Sequence, residues 1–208
     1  MKTVLVTGSK GFVGKNLTSV LSRRSDCRLY GIDVDDDQSN LRAFLRETDI
    51  VFHLAGVNRP IDESEFIQGN VDSTKTLIGV LSEINRCPAI VMSSSIQAVL
   101  DNPYGISKRK AEELLLEYGA ATGAPVYIYR LNNVFGKWCR PNYNSVVATF
   151  CHNTARGLPL SVSDPEREIE LVYIDDVVDA FISVMDGGQP FSDGTYCYAK
   201  PTYRISLG

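Results

Sequence analysis

The stretch Thr3-Val4-Leu5-Val6-Thr7-Gly8-Ser9-Lys10-Gly11-Phe12-Val13-Gly14 decides the fold, because a short apolar strand runs into a glycine-rich turn and then into a helical pattern. Gly8 suits a tight turn, Gly11 lets the backbone approach a pyrophosphate, and Gly14 lets the helix pack closely on the strand. The helix N-terminus then offers N–H groups and partial positive charge to phosphates. We therefore predict a dinucleotide site with contacts from Gly8, Ser9, Lys10, Gly11, Phe12, Val13 and Gly14.

Strand and helix patterns alternate along the rest of the chain. Apolar runs predict strands at 28–32, 49–56, 89–92 and 126–131, and helical patterns occur at 41–46, 69–84, 103–117 and 146–155. A short strand is expected at 158–160, and residues 171–178 lead into a helix that ends at Met185. This alternation predicts an α/β fold, a Rossmann-type doubly wound parallel sheet with a small C-terminal substrate-binding lobe. In this interpretation, residues 1–208 form one NAD(P)-binding domain.

The composition argues against several classes of protein. The chain has 208 residues, of which 44% are hydrophobic, and a net charge of -4, so it can bury a full core and has no basic surplus for nucleic acid. It shows no apolar run long enough for a membrane span and no signal-peptide pattern. The five cysteines are widely spread and only two histidines occur, so we expect no disulfide framework and no metal site. A reducing cytoplasm is the expected location.

An acidic residue at the end of the second strand bears on the choice of dinucleotide. Asp33 is placed to accept hydrogen bonds from the adenosine ribose, and it would repel a 2'-phosphate. Lys10 in the glycine-rich turn has the opposite effect, because a cation there could meet a 2'-phosphate. The residues alone therefore favour NADH over NADPH.

The third strand ends in small residues where the sheet meets the cofactor. Ala55 and Gly56 leave room at that carboxyl end, which is where open parallel sheets bind their ligands. His53 lies within the apolar run and is interpreted as a hydrogen-bonded core histidine. Asn70 has two open interpretations, as the cap of the following helix or as a support for the neighbouring helix.

A tyrosine and a lysine lie one helical turn apart in Asn102-Pro103-Tyr104-Gly105-Ile106-Ser107-Lys108, at the start of a predicted helix. A cation beside a tyrosine favours the phenolate and lowers the phenol pKa from about 10. Ser95 ends the fourth strand, where its hydroxyl can polarise a substrate oxygen. We predict a catalytic trio in which Ser95 binds that oxygen, Tyr104 transfers the proton, and Lys108 holds the nicotinamide ribose and tunes Tyr104.

The segment after the fifth strand mixes cations, amides and aromatic rings in a way that suits a sugar nucleotide. Rings can stack on a base, and N–H donors can bind a diphosphate. The predicted substrate contacts are Ser94, Ser95, Asn133, Lys137, Asn142 and Ser145. The predicted cofactor contacts, besides the glycine-rich turn, are Asp33, Leu54, Ala55, Gly56, Ser93, Tyr104, Lys108 and Arg130.

A set of motifs in this order resembles the extended short-chain dehydrogenase/reductases of the NAD-dependent epimerase/dehydratase family. They are Thr7-Gly8-x-x-Gly11-x-x-Gly14, residues 49–56, Ser93-Ser94-Ser95, Tyr104-x-x-x-Lys108, Arg130-x-x-Asn133-Val134-x-Gly136 and Tyr173-Ile174-Asp175-Asp176-Val177. A closer likeness lies in residues 53–60, in the short link from Ser95 to Tyr104, and in residues 135–146. These resemble the reductase domains of the bacterial capsular-polysaccharide enzymes CapF and WbjC.

The resemblance implies a specific reaction. Such reductase domains give hydride to C4 of a UDP-4-keto-6-deoxy-N-acetylhexosamine, yielding UDP-2-acetamido-2,6-dideoxy-L-talose on the route to UDP-N-acetyl-L-fucosamine for capsule or O-antigen polysaccharide. Relatives of this type are expected to use NADPH, to bind a UDP-sugar, to form homodimers and to carry a C-terminal cupin domain. Residues 204–208 are interpreted as the approach to another helix, so we expect a longer native protein whose cupin domain is absent here.

Three other functions are consistent with parts of the pattern. A nucleotide-sugar 4-epimerase or 4,6-dehydratase would use the same trio, but a dehydratase usually has an Asp-Glu pair after the strand-end hydroxyl, and this chain has Ile96 and Gln97 there. A non-catalytic dinucleotide-sensing module is a third possibility, and the intact Tyr104 and Lys108 argue against it.

Overall fold

A computed structural model describes residues 1–37 and 39–208 of the chain. The strands are β1 (Lys2–Thr7), β2 (Cys27–Ile32), β3 (Ile50–His53), β4 (Ala89–Ser95), β5 (Val126–Leu131), β6 (Asn133–Phe135), β7 (Glu168–Tyr173), β8 (Tyr196–Cys197) and β9 (Tyr203–Ser206). The α-helices are α1 (Phe12–Leu21), α2 (Ser39–Glu47), α3 (Ser64–Phe66), α4 (Ser73–Glu83), α5 (Pro103–Thr122), α6 (Val146–Thr154) and α7 (Ile174–Met185). A π-helical turn at Ile67–Asp72 joins α3 to α4, and a 3-10 helix at Ile96–Val99 precedes α5.

The main sheet of the described residues has six strands in the order β2-β1-β3-β4-β5-β8, and every pairing is parallel. The chain moves outward from β1 to β2 and then returns to place β3 on the other side of β1. Such a reversal opens a crevice at the carboxyl ends of the strands, where doubly wound sheets bind ligands. The predicted doubly wound parallel sheet is confirmed, and the glycine-rich turn and β3 meet at this crevice.

Helices cover both faces of the sheet, and each face has its own apolar core. On one face, α1 and α7 bury Leu17, Val177 and Phe181 against the sheet. On the other face, α2, α4 and α5 contribute Leu45, Leu81, Leu115 and their neighbours. Because both faces are covered, the central strands are continuous apolar runs rather than alternating ones.

A second, three-stranded sheet forms the C-terminal lobe, with β6 parallel and β9 antiparallel to β7. The sequence-based prediction that residues 204–208 approach a helix is wrong, because residues 203–206 form β9 and pair with β7. The expected strand at 158–160 is absent from the described structure. There the Leu158 N–H and the Pro159 carbonyl both bond to Asn153, at 2.9 and 3.0 Å, which folds this segment back on the end of α6.

Helix α4 is preceded by more helical structure than the sequence suggested. The helical path begins at Ser64 and passes through the π-helical turn before α4, although the prediction began it at Gly69. A π-turn widens the helix locally and re-aims its side chains. Within the described residues, no helix is both long and apolar enough to cross a membrane.

Candidate active site

The glycine-rich turn has the close packing that the sequence pattern requires. Gly8 has a φ of 67°, and a Cβ there would lie 2.6 Å from the Ala55 nitrogen. A Cβ on Gly14 would lie 2.1 Å from the Gly8 carbonyl oxygen. Because α1 starts at Phe12 with no side-chain cap, the backbone N–H groups of its first turn are available to an anion. This cradle, which a side chain would fill, fits the pyrophosphate of a dinucleotide.

Lys10 and Asp33 belong to one cluster at the rim of this cradle. The Lys10 backbone N–H donates to Asp33 Oδ2 at 2.9 Å, and the Lys10 ammonium lies 2.7 Å from Asp36 Oδ1. Asp36 in turn accepts the Asp33 N–H at 2.8 Å. The hydrogen bond to Asp36 is the main cause that raises the Lys10 pKa. The sequence predicted opposite effects of Lys10 and Asp33 on the binding of a 2'-phosphate. In the structure both residues also contact Asp36 and form one cluster with it.

The end of β3 is tied to β1 and packed against the helix that carries Lys108. The Leu54 N–H donates to the Thr7 carbonyl at 3.2 Å, and the Ala55 N–H donates to the Thr7 hydroxyl at 3.3 Å. A Cβ on Gly56 would lie 2.6 Å from Asn70 Oδ1 and 3.6 Å from Lys108 Nζ. Only glycine leaves that space open, and this brings the predicted cofactor edge next to the predicted trio.

His53 is a core histidine, as predicted. Its Nδ1 lies 2.9 Å from the Thr7 hydroxyl and its Nε2 lies 3.0 Å from the Thr74 hydroxyl. Burial, assisted by the charge of Lys108, lowers the His53 pKa to about 3. His53 is therefore neutral near pH 7 and offers no proton to the site.

Ser95 and Tyr104 are brought together by a short, well-capped connection. Ser95 ends β4, and its Oγ accepts the Gln97 N–H at 3.1 Å to cap the 3-10 helix. Asn102 caps α5 by accepting the Gly105 N–H at 2.7 Å, so Tyr104 falls in the first turn. The Ser95 side chain is near enough to the Tyr104 hydroxyl to lower its pKa, and the Tyr104 ring packs on Phe66 with the centroids 5.6 Å apart.

Lys108 points into the site from the same helix, but it does not tune Tyr104 as the sequence suggested. Its ammonium is buried and donates to the Ser93 carbonyl at 2.8 Å. Burial lowers the Lys108 pKa to about 8, and Glu112 opposes this change. Burial raises the Tyr104 pKa, and the hydrogen bond from Ser95 only partly offsets it. The predicted depression of the phenol pKa by Lys108 is therefore wrong for this structure, because desolvation is the larger effect.

Asn70 supports α5, the helix that carries Tyr104 and Lys108. It lies in the π-helical turn, where its Oδ1 accepts the Val57 N–H at 3.0 Å. Its Nδ2 donates to the Val57 carbonyl and to the Ser107 hydroxyl, both at 2.9 Å. Asn70 thus fixes the loop after β3 against α5 beside Lys108, which selects one of the two interpretations left open by the sequence.

Two of the predicted ligand contacts, Ser94 and Arg130, use their side chains to bind the buried carboxylate of Glu112. Ser94 donates its hydroxyl to Glu112, and Arg130 donates to both Glu112 oxygens at 3.1 and 2.6 Å. In this structure the polar groups of Ser94 and Arg130 are thus used by Glu112, and their contacts with substrate and cofactor stay predictions. Sequence reasoning treated Glu112 only as a helix former. The signal it missed is that Glu112 lies one turn after Lys108 on the same helix face.

The comparison with known proteins assigns the family. A family model described as "NAD dependent epimerase/dehydratase family" matches residues 4–195. The chain belongs to this family. The match covers the glycine-rich turn, the trio and much of the lobe, and it confirms the resemblance inferred from the motifs. Membership of an NAD-dependent family also indicates a nicotinamide dinucleotide as the cofactor.

Individual members of the epimerase/dehydratase family give a more detailed likeness. The chain is 48% identical over 205 residues to the UDP-2-acetamido-2,6-beta-L-arabino-hexul-4-ose reductase of Pseudomonas aeruginosa, covering 99% of this chain and 55% of that protein. The crystal structure of the capsular polysaccharide assembling protein CapF from Staphylococcus aureus matches with a TM-score of 0.88 and 42% identity, covering 99% of this chain and 55% of CapF. The chain thus spans about half the length of these two relatives.

A more distant member shows the shared fold. The UDP-glucuronic acid 4-epimerase of Bacillus cereus, solved with NAD, matches with a TM-score of 0.84 at 20% identity, covering 99% of this chain and 80% of that one. Identity at this level supports the architecture and nothing finer.

Four of the predicted substrate residues lie after β5, and each has a hydrogen-bond or ion-pair partner there or on the lobe. Asn133 Nδ2 donates to the Glu170 carbonyl at 3.0 Å, and Lys137 Nζ lies 3.0 Å from Asp175. Ser145 caps α6 by accepting the Ala148 N–H at 3.3 Å. Asn142 has a φ of 54° and donates its N–H to the Thr149 hydroxyl at 2.9 Å, and its side chain is exposed.

Two contacts join this lobe segment to the rest of the site. Asn16 on α1 is fully buried and donates to the Lys137 carbonyl at 3.1 Å. Arg59, from the loop after β3, lies over the Tyr143 ring at 5.9 Å. Sequence reasoning missed both residues, because nothing local marks a helix asparagine or a loop arginine as a partner of a segment so distant in the chain. Among the described residues, no group of three or more His, Cys, Asp or Glu side chains could hold a metal ion.

Proposed function

We propose that this chain is the reductase domain of an enzyme that reduces a UDP-4-keto-6-deoxy-N-acetylhexosamine at C4 with NADH or NADPH. The observation that carries the proposal is the trio beside the glycine-rich cradle, with Ser95 near enough to the Tyr104 hydroxyl to lower its pKa and Lys108 buried next to Gly56. The 48% identity to a UDP-hexulose reductase over nearly the whole chain supports the same class of reaction.

The roles of the residues follow from their positions. The bound dinucleotide supplies the hydride for the C4 carbonyl carbon. Ser95 donates its hydroxyl to the carbonyl oxygen, and Tyr104 gives its proton to that oxygen as negative charge develops. The product is the C4 alcohol, so one hydride and one proton are added. Burial that raises the Tyr104 pKa keeps the phenol protonated and ready to donate at neutral pH.

Lys108 and the cradle hold the reductant. With a pKa of about 8, Lys108 is mostly protonated at pH 7, and its ammonium can donate to the hydroxyls of the nicotinamide ribose. Gly8, Gly11 and Gly14 keep the diphosphate path open, and Asp33 would accept from the adenosine ribose. Because Lys10 is paired with Asp36, its ammonium should bind a 2'-phosphate less strongly. We therefore propose NADH as the preferred reductant.

The product we propose is UDP-2-acetamido-2,6-dideoxy-L-talose, which is also the product implied by the motif resemblance. Dimerisation and a downstream cupin domain are further proposals that rest on the same resemblance.

A coupled assay tests the reductase. The protein is mixed with NADH or NADPH and UDP-4-keto-6-deoxy-N-acetylhexosamine, and loss of cofactor absorbance is followed together with product structure by NMR. We expect stoichiometric cofactor oxidation with formation of a C4 alcohol. Interconversion of UDP-N-acetylhexosamine C4 epimers without net cofactor use would support the 4-epimerase instead, and dinucleotide binding without turnover of either substrate would support the sensing module.

A further inference from the structure

Glu112 is a buried carboxylate directly behind the catalytic residues. It is fully buried on α5, one helical turn beyond Lys108. Its carboxylate accepts a hydrogen bond from the Ser94 hydroxyl and one on each oxygen from the Arg130 guanidinium. A carboxylate taken out of water is costly unless charge and hydrogen bonds compensate it, and here the guanidinium and the hydroxyl do so.

The partners of Glu112 lie on neighbouring strands of the main sheet. Ser94 on β4 and Arg130 on β5 are register partners at the carboxyl edge of the sheet. The Arg130 guanidinium lies over the Tyr196 ring of β8 at 3.4 Å. One carboxylate on α5 is thereby connected to three adjacent strands, at the edge where the cofactor and the trio meet.

On β4, Ser94 lies between Ser93, which contacts Lys108, and Ser95, which belongs to the trio. The carbonyl of Ser93 accepts a hydrogen bond from the Lys108 ammonium, and the Ser95 side chain is near enough to the Tyr104 hydroxyl to lower its pKa. A slip of α5 along β4 would break both contacts at once. The Glu112 to Ser94 bond joins the same two elements at the residue between them.

We propose that Glu112 is a positioning residue that fixes α5 against β4, so that Ser95, Tyr104 and Lys108 keep their working relation. This inference rests on the proposed reductase function. Glu112 also places a negative charge one turn from Lys108 and opposes the effect of burial on that lysine. His53 on β3 also feels the charge of Lys108, and it is neutral near pH 7. Arg130 on β5 is paired with Glu112.

Three variants separate positioning from simple support of the fold. Ser94→Ala removes only the bond to β4, and Glu112→Gln removes the charge while keeping the side-chain shape. Glu112→Leu combined with Arg130→Met replaces the whole pair by apolar groups, an exchange that is often neutral for stability. Glu113→Gln is the matched control, because Glu113 is the exposed neighbour on the same helix.

The readouts are thermal melting, the affinity for NADH, the kcat and KM for the UDP-keto-sugar, and the Lys108 titration followed by NMR on isotope-labelled lysine. We expect the double variant to fold and bind NADH, with KM unchanged and kcat lower by roughly 10- to 100-fold, since small misplacements of reacting groups have effects of this size. Ser94→Ala should show a smaller loss in kcat, and Glu112→Gln should move the Lys108 titration to lower pH. Glu113→Gln should match the wild type.

The outcomes distinguish this inference from the proposed function. Wild-type kcat in both Ser94→Ala and the stable double variant overturns the positioning role. If the wild type itself does not reduce the keto sugar, the proposed reductase function fails. The NMR titration then tests the inference alone: Ser94→Ala keeps every charge, so it should move the Lys108 titration only by shifting α5 against β4. An unchanged Lys108 titration in Ser94→Ala would overturn the positioning role without any assay of turnover.

Discussion

The Lys10 ammonium lies 2.7 Å from Asp36 Oδ1, so the cation of the phosphate cradle is balanced by an acid of the loop after β2. A 2'-phosphate would have to compete with that carboxylate and would also face Asp33. We expect the wild type to bind NADH better than NADPH. Asp36→Asn should shift the preference towards NADPH by about tenfold, which corresponds to roughly 1.4 kcal/mol. Fluorescence titration with both dinucleotides measures the ratio.

A control for the cofactor prediction is available in the same loop. Asp37 accepts the Ser39 N–H at 2.9 Å and caps the loop without a contact to Lys10, so Asp37→Asn should leave the ratio unchanged. A wild type that prefers NADPH tenfold would show that the Asp33 and Asp36 carboxylates do not select the cofactor.

Tyr104→Phe should abolish reduction and leave dinucleotide binding nearly intact. The ring can still pack on Phe66, but no proton is available for the developing C4 alkoxide. A loss of about 3 kcal/mol or more in transition-state stabilisation is expected. Steady-state rates and an NADH titration on the same preparation measure the two effects. Turnover near that of the wild type would exclude Tyr104 as the proton donor.

Gly14→Ala should remove dinucleotide binding and destabilise the fold. The added methyl group would lie 2.1 Å from the Gly8 carbonyl oxygen, so α1 must move away from the turn. Gly79→Ala is the matched control, because a Cβ there meets nothing within 4 Å and the position lies within α4. Replacing a helix glycine by alanine should stabilise that variant by about 0.5–1 kcal/mol. Thermal melting with and without NADH compares them, and tight NADH binding by Gly14→Ala would contradict the close-packing argument.

The affinity for the dinucleotide should fall as the pH rises through about 8, because Lys108 then loses the proton with which it holds the ribose. Lys108→Met should bind weakly at every pH and lose this dependence. The free energy of unfolding is expected to change with pH in the opposite direction to the affinity. The folded pKa lies below the ordinary value of 10.5, so the unfolded chain binds more protons between these values, and the Lys108 contribution to the free energy of unfolding increases across that range. Equal binding at pH 7 and pH 9 would contradict the assignment.

Much of the fold and the trio could be predicted because their signals are local. The strand, glycine-rich turn and helix pattern around Gly8 and Gly14 specifies a close approach that only glycine permits. The spacing of Tyr104 and Lys108, with Asn102 and Pro103 before them, fixes one face of one helix.

The features that were missed depend on contacts between distant parts of the chain. Strand β9 is held by its pairing with β7. The alternation Tyr-Arg-Ile-Ser at 203–206 suits a strand, but it is only four residues long and was not used in the prediction. The contacts of Ser94 and Arg130 with Glu112 were missed because Glu112 is marked only by its distance from Lys108. The Tyr104 pKa was predicted in the wrong direction because burial is a property of the packed structure, and a spacing rule cannot measure it.

The short 3-10 helix between β4 and α5 has a consequence for how this enzyme could be redesigned. Ser95 caps the start of this 3-10 helix, and a Cβ on Gly105 would lie within 2.5 Å of the backbone carbonyl oxygens of Gln97 and Leu100. The 3-10 helix and the start of α5 are therefore packed too closely to move apart independently. Ser95 and Tyr104, the proposed carbonyl-binding hydroxyl and proton donor, are therefore expected to move together and not to adapt separately to different sugars. If the proposed reductase function holds, we expect the choice among sugars to be made by the segment around Lys137 and Tyr143, and exchanging that segment between relatives should transfer sugar preference and keep the reduction.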